Sequence, residues 1–117
     1  MPTTNLTMTV RALTEDVSVI DIVGEMTSFA ETEMTAAHEK ASANTPKAVI
    51  LNFTALDYMN SGGIGLLVTT LIRAQRTGHQ LLAYGLTEHY AQIFDLTRLN
   101  EAIGIFGDEE SAVASLV

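Results

Sequence analysis

A serine followed by two glycines is the feature of this sequence best suited to chemistry. The segment 57–67 contains Asn60-Ser61-Gly62-Gly63, after a strongly apolar stretch and at the start of an amphipathic one. A hydroxyl placed at a helix start lies near unpaired backbone N–H groups and the positive end of the helix dipole, and both favour a phosphate. The small residues after it let another protein approach the backbone closely. The pattern predicts that Ser61 is an exposed phosphoacceptor.

Two other interpretations of the same segment stay open. Asn60 or Ser61 is also a typical N-cap residue, so the serine is explained if it only starts the helix. Glycines in a first turn cost up to ~1 kcal/mol each relative to alanine, and either partner approach or close internal packing of Gly62 and Gly63 would offset that cost. A nucleotide-binding loop is the third interpretation, although the glycine spacing differs from the dinucleotide fingerprint and no P-loop lysine follows.

The residues just before the serine are apolar. Met59 is predicted to point into the core and anchor the loop. Tyr58 either does the same or faces a partner beside Ser61.

Other chemistry is weakly represented. His38, His79 and His89 have no metal-ligand spacing with each other or with a carboxylate cluster, so we expect them at the surface. No Ser-His-Asp arrangement is evident either. We therefore expect no catalytic residue, no metal and no cofactor.

Hydrophobic periodicity and turn residues predict the elements that position this segment. The predicted strands are 7–13, 17–23, 47–53, 80–84 and 102–106. The first two form a hairpin, and Gly24-Glu25 ends the second. The predicted helices run from Thr27 or Ser28 to about residue 43, and over 61–77, 88–96 and 108–116.

Two of these helices carry a recognisable inward stripe. In the first helix it is Ala30, Met34, Ala37 and Ala41. In the second it is Ile64, Leu67, Val68, Leu71 and Ile72, at the spacing of a helix with one face on a core. The element order β-β-α-β-α-β-α-β-α predicts an α/β fold: a small mixed sheet of about five strands with about four helices, mainly on one face.

Composition predicts one domain spanning 1–117. The net charge is −8 with only six lysines and arginines, which argues against nucleic acid as a partner. There is no cysteine, the polar start shows no leader, and no apolar run approaches the ~20 residues of a membrane helix. We expect a cytoplasmic protein without membrane insertion, and the sequence leaves its oligomeric state open.

The chain resembles STAS-domain proteins, specifically the single-domain anti-sigma factor antagonists of bacteria. The matching segments are Gly24-Glu25-Met26, residues 48–53, residues 93–99 and above all Tyr58-Met59-Asn60-Ser61-Gly62-Gly63-Ile64-Gly65-Leu66. The resemblance itself extends over nearly the whole chain.

The resemblance implies a STAS fold and a binding protein rather than an enzyme. It implies a partner anti-sigma factor that is also a serine kinase and that phosphorylates Ser61, and a serine phosphatase that reverses the reaction. The unphosphorylated protein would capture the anti-sigma factor and free a sigma factor, so regulating transcription by partner switching. The implied partner-binding surface comprises Thr27, Ser28, Tyr58, Met59, Asn60, Ser61, Gly62, Gly63 and Ile64.

Three positions depart from the family pattern. The motif usually has an acidic residue where Asn60 stands and a serine where Gly62 stands, and Thr27 replaces another frequent acidic residue. A STAS scaffold that is not phosphorylated, or a subunit associated with a transporter, is therefore the alternative function.

Overall fold

The computed structural model describes residues 5–116 of the chain. Residues 1–4 and 117 lie outside the described residues. They include the beginning of the polar N-terminal segment and belong to the single domain predicted over 1–117. The strands are β1 (Leu6–Ala12), β2 (Val17–Met26), β3 (Ala48–Met59), β4 (Gln80–Tyr84) and β5 (Gly104–Phe106). The α-helices are α1 (Glu31–Ser42), α2 (Ser61–Thr77), α3 (Glu88–Leu96) and α4 (Glu109–Ala114), and short 3-10 turns span Ser28–Ala30 and Leu99–Glu101.

The strands form one mixed sheet in the order β1-β2-β3-β4-β5. β1 and β2 are an antiparallel hairpin, and each later strand pairs parallel with the one before it. Parallel neighbours need a crossover, and α1, α2 and α3 supply the three crossovers. The carboxyl ends of β2, β3 and β4 therefore lie at one edge of the sheet, where α2 begins.

The helices are divided unequally between the two faces, as the sequence predicts. On one face, α1, α2 and α3 cover the main core, whose largest fully buried side chains include Phe53, Phe94, Ile20, Ile22 and Leu51. On the other face, α4 packs through the buried Ala112 over Val19, Ile50 and Leu82. A β-sheet buried on both faces needs apolar residues at successive positions, which is why 48–51 is an unbroken apolar run.

Two strands are longer than the sequence suggests. β2 continues through Gly24-Glu25, which we expected to end it, and β3 continues through the segment expected to be a loop. The reason is mutual pairing: Glu25 faces Tyr58 and Met26 faces Met59 across the parallel ladder, with two register shifts on the way. Backbone hydrogen bonds between the strands override the turn-forming tendency of Gly24.

The inward face of α2 differs from the predicted stripe. Its buried residues are Gly63, Leu67, Thr70 and Ala74, whereas Val68 and Ile72 are 39% and 45% exposed. Ile64 and Leu71 are half-buried. Small side chains let α2 approach the sheet closely. The apolar side chains of Val68 and Ile72 are therefore turned outward and remain uncovered.

Candidate functional site

Asn60 is the single residue between β3 and α2. Its backbone is extended (φ −102°, ψ −175°), and its side-chain oxygen accepts a hydrogen bond from the Gly63 N–H at 3.0 Å. Its own carbonyl accepts the N–H of Ile64 at 3.0 Å, which closes the first turn. Asn60 is thus the N-cap of α2, and Ser61 is the first helical residue. Of the two capping residues that the sequence allowed, the structure selects Asn60.

Ser61 is exposed at this helix start. No protein hydrogen bond among residues 5–116 uses its hydroxyl, and the first turn of α2 contains no acidic residue. Helix geometry leaves the first N–H groups without intrahelical partners, so they point towards the space around the serine. The geometry suits a hydroxyl that gains a phosphate, because the helix dipole and the free N–H groups both favour the added negative charge.

The two glycines after the serine are required by internal packing. A Cβ on Gly62 would lie 2.8 Å from the Ser28 backbone nitrogen, and a Cβ on Gly63 would collide with the carbonyl oxygen of Met26. A side chain at either position would push α2 away from the end of β2. Packing therefore accounts for the glycine pair without a partner.

Gly65 differs from those two glycines. Nothing lies within 4 Å of a Cβ built on it, and it is exposed on the same side of α2 as Ser61. Helical spacing places Ser61, Gly65, Val68 and Ile72 along one line, which we call the α2 outer stripe. The stripe joins the candidate phosphoacceptor to an apolar surface.

A hydrogen bond from the end of β3 to a side chain of α3 fixes the position of that strand end. The hydroxyl of Tyr90 accepts a hydrogen bond from the backbone N–H of Met59 at 2.9 Å, in a buried position. On the other side, the N–H of Asn60 donates to the Met26 carbonyl at 3.3 Å. These two contacts fix where the strand stops and hence where Ser61 emerges.

The remaining predicted site residues fall into two groups. Met59 and Gly63 are buried, so they position the site rather than offer a surface. Thr27 caps the 3-10 turn by accepting the Phe29 N–H at 3.2 Å. Ser28, Tyr58 and Ser61 are exposed, and Thr27, Asn60, Gly62 and Ile64 are half-buried at the same edge.

The sequence matches the protein-family model described as the STAS domain over residues 10–112. The chain belongs to the STAS domain family.

Solved STAS-like structures agree with the fold. An anti-sigma factor antagonist from Mycobacterium paratuberculosis is 21% identical, with a TM-score of 0.75 over 95% of this chain and 93% of that one. The Bacillus cell fate determinant SpoIIAA in its phosphorylated form is 20% identical, with a TM-score of 0.72 over 95% and 100% of the two chains. A sulfate transporter family protein from Wolinella succinogenes is 18% identical, with a TM-score of 0.76 over 90% and 88%.

Two histidines of this STAS domain lie where the sequence did not place them. His38 and His79 are buried, and their Nε2 atoms lie 3.0 Å apart between α1 and the start of β4. Burial, with the charges of His79 and Arg73, lowers the pKa of His38 from 6.5 to about 4. Burial also lowers the pKa of His79. Only His89 is exposed as expected.

The STAS domain offers few other chemical groups. Among residues 5–116, no cluster of three or more histidine, cysteine or acidic side chains is arranged to hold a metal ion. In the same part of the chain, no helix has the length and apolar character to cross a membrane. The sequence did not predict that Tyr90 and Phe29 belong to the site. Tyr90 lies in the first turn of α3, and nothing in the sequence indicates that its hydroxyl reaches the end of β3.

Proposed function

We propose that this STAS domain is a cytoplasmic anti-sigma factor antagonist without enzymatic activity of its own. It binds an anti-sigma factor that is also a serine kinase, is released when that kinase phosphorylates Ser61, and is restored by a serine phosphatase. The observation that supports this most directly is that Ser61 is exposed at the first position of α2. Its hydroxyl is not needed for capping, because Asn60 caps the helix. A serine needed only for the helix start would use its own hydroxyl there.

The proposed docking surface surrounds that hydroxyl. It consists of the exposed and half-buried members of the predicted set: Thr27, Ser28, Tyr58, Asn60, Ser61, Gly62 and Ile64. Two large apolar side chains stand out from it, Phe29 at 64% and Tyr58 at 48% exposure. The α2 outer stripe extends it through Val68 and Ile72. Exposed aromatic residues beside an apolar strip are typical of the centre of a protein–protein interface.

Gly65 supports the same surface. An exposed glycine inside a helix costs up to ~1 kcal/mol relative to alanine, and no internal neighbour of Gly65 accounts for it. Close approach of a partner along the α2 outer stripe would account for it.

The phosphate acts at the interface and not on the fold. It adds roughly −1.5 to −2 charge at neutral pH. At the start of α2 the fold tolerates that charge, since the first turn holds no acid and the helix dipole favours it. A partner that covers Ser61 would have to bury the dianion beside Phe29 and Tyr58, which is costly.

The test is phosphorylation by the cognate anti-sigma factor with ATP, followed by mass spectrometry. We expect one added phosphate that is lost in Ser61→Ala and retained in Ser28→Ala, an exposed serine beside it. Ser61→Asp should weaken binding of the anti-sigma factor at least about tenfold and leave the melting temperature nearly unchanged. A Ser61→Asp protein that unfolds yet binds normally contradicts the mechanism.

The second candidate is a constitutive STAS subunit, in a scaffold or associated with a transporter. The likeness to a sulfate transporter family protein favours it, as does the neutral Asn60 in place of the usual acid. In that case no co-expressed kinase labels Ser61, while substitutions of Phe29 or Val68 still weaken partner binding.

A further inference from the structure

β1 is an edge strand whose outer side carries unpaired backbone groups. The Asn5 carbonyl accepts the Glu25 N–H at 2.8 Å, so odd-numbered residues of this hairpin bond inward to β2. Antiparallel ladders alternate strictly. The N–H and C=O groups of Leu6, Met8, Val10 and Ala12 therefore point away from the sheet, and no strand among residues 5–116 pairs with them.

The usual protections of an edge strand are missing from β1. Its register with β2 is continuous over seven residue pairs without a bulge, and it contains no proline. Its single charged residue, Arg11, is bound to Asp21 at 2.6 Å and to Glu109 at 2.9 Å on the α4 face of the sheet. The opposite edge, β5, is only three residues long. Natural edges are normally short, charged, bulged or covered, so the length and regularity of β1 call for a partner.

A groove of about 360 Å³ runs between β1 and α1. Met8, Thr9 and Val10 form its strand side, and Glu33, Ala36, Ala37 and Lys40 form its helix side. One carboxylate oxygen of Glu33 is buried there without a hydrogen-bond partner. A carboxylate with a buried, unpartnered oxygen is costly unless a cation lies near it.

The groove is complementary to itself. α1 connects the parallel strands β2 and β3, so it runs opposite to β2 and in the same direction as β1. A two-fold axis at Thr9, normal to the sheet, would pair Met8 with Val10 of the partner subunit and set the two α1 helices side by side and antiparallel. Glu33 and Lys40 lie about equally far on either side of Ala36-Ala37, so the same axis brings Glu33 towards Lys40 of the partner subunit. Ala36 at the centre is small and exposed, which allows the helices to approach.

We propose that two copies of this chain associate through β1, forming a continuous ten-stranded sheet flanked by paired α1 helices with reciprocal Glu33–Lys40 contacts. An isologous contact of this kind closes and cannot propagate into a fibre. The Ser61 surface lies at the carboxyl ends of β2 and β3 and not on the β1 edge, so the proposal does not depend on the function of Ser61.

The test is sedimentation equilibrium of the full chain at loading concentrations from roughly 10 µM to 1 mM, with Glu33→Lys and Lys40→Glu. We expect a monomer–dimer equilibrium in the native chain. Each reversal places like charges opposite each other and lowers the association constant at least about tenfold. An equimolar mixture of the two variants restores association as a heterodimer, and so does the double exchange within one chain.

The matched controls are Glu39→Lys on the exposed side of α1 and Arg76→Glu at the end of α2, which change the net charge equally and should leave the dimer intact.

Amide exchange gives an independent readout. The outward N–H groups of Met8 and Val10 should become protected as concentration rises, while those of Thr7 and Thr9 are protected throughout. A native chain that stays monomeric over the whole concentration range overturns the proposal. The binding partner of the β1 edge would then be an extended segment of another protein. A dimer indifferent to both reversals overturns it as well, since its contact would lie elsewhere.

Discussion

The hydroxyl of Tyr90 on α3 accepts the backbone N–H of Met59, two residues before Ser61, at 2.9 Å. The contact joins the end of β3 to a helix that follows it by about thirty residues in the chain, and it satisfies a donor that would otherwise be buried. The position of the candidate phosphoacceptor is therefore set by α3 as well as by its own strand and helix.

Replacing Tyr90 by phenylalanine should lower the free energy of unfolding by about 1–3 kcal/mol, because the ring still packs but the Met59 N–H is left buried and unpaired. Urea unfolding followed by circular dichroism measures this. Tyr58→Phe is the matched control, since Tyr58 is half exposed and its loss of a hydroxyl should change stability by less than ~0.5 kcal/mol. Equal effects of the two variants would show that the Tyr90 hydrogen bond contributes nothing to the fold.

Replacing Asn60 by alanine should cost about 1 kcal/mol of stability, because the Gly63 N–H loses its cap. Asn60→Asp should retain the native stability at neutral pH, since a carboxylate accepts the same bond and complements the helix dipole. Ser61→Ala should cost less than ~0.5 kcal/mol. Thermal unfolding of the three variants assigns the cap, and a loss in Ser61→Ala as large as in Asn60→Ala would move the capping role to the serine.

The glycines of α2 should respond to alanine in opposite directions. Gly63→Ala should destabilise the domain by more than ~2 kcal/mol, because the new Cβ meets the Met26 carbonyl and the backbone must shift. Gly65→Ala should stabilise it by about 0.5–1 kcal/mol through helix propensity. Affinity for the proposed anti-sigma factor partner provides the second measurement: Gly65→Ala should weaken binding despite the gain in stability. If that variant binds normally, the α2 outer stripe is not part of the interface.

The buried histidine pair should make stability depend on pH. Folding lowers the pKa of His38 from 6.5 to about 4, so the unfolded chain binds more protons than the folded one between those values. The free energy of unfolding is therefore highest, as far as His38 is concerned, above pH 6.5, where the histidine is neutral in both states. It decreases as the pH falls towards 4, by up to ~1.4 kcal/mol per pH unit for each titrating histidine.

Chemical unfolding at several pH values measures that slope, and His38→Gln should flatten it. His89→Gln, an exposed histidine, should leave it unchanged. A native slope that His38→Gln does not alter would assign the acid sensitivity to carboxylates instead.

Local patterning determined most of the architecture. The element order, the extent of α2 over 61–77 and the placement of Ser61 at a helix start all follow from short-range periodicity and capping residues, which act within a few positions of the chain. The inward stripe predicted for the first helix is confirmed: Met34, Ala37 and Ala41 are buried in α1, and Ala30 is buried in the 3-10 turn before it.

What remained depended on contacts between residues far apart in sequence. The sequence alone did not show that β2 and β3 extend each other to Met26 and Met59, that Gly62 and Gly63 are required by Ser28 and Met26, or that His38 meets His79. It did not show which apolar row of α2 faces outward. Leu67 and Val68 are adjacent and both apolar, and only the close approach of small residues to the sheet selects between them. The chain itself thus determined where Ser61 stands on its helix, and only tertiary packing decided what surrounds it.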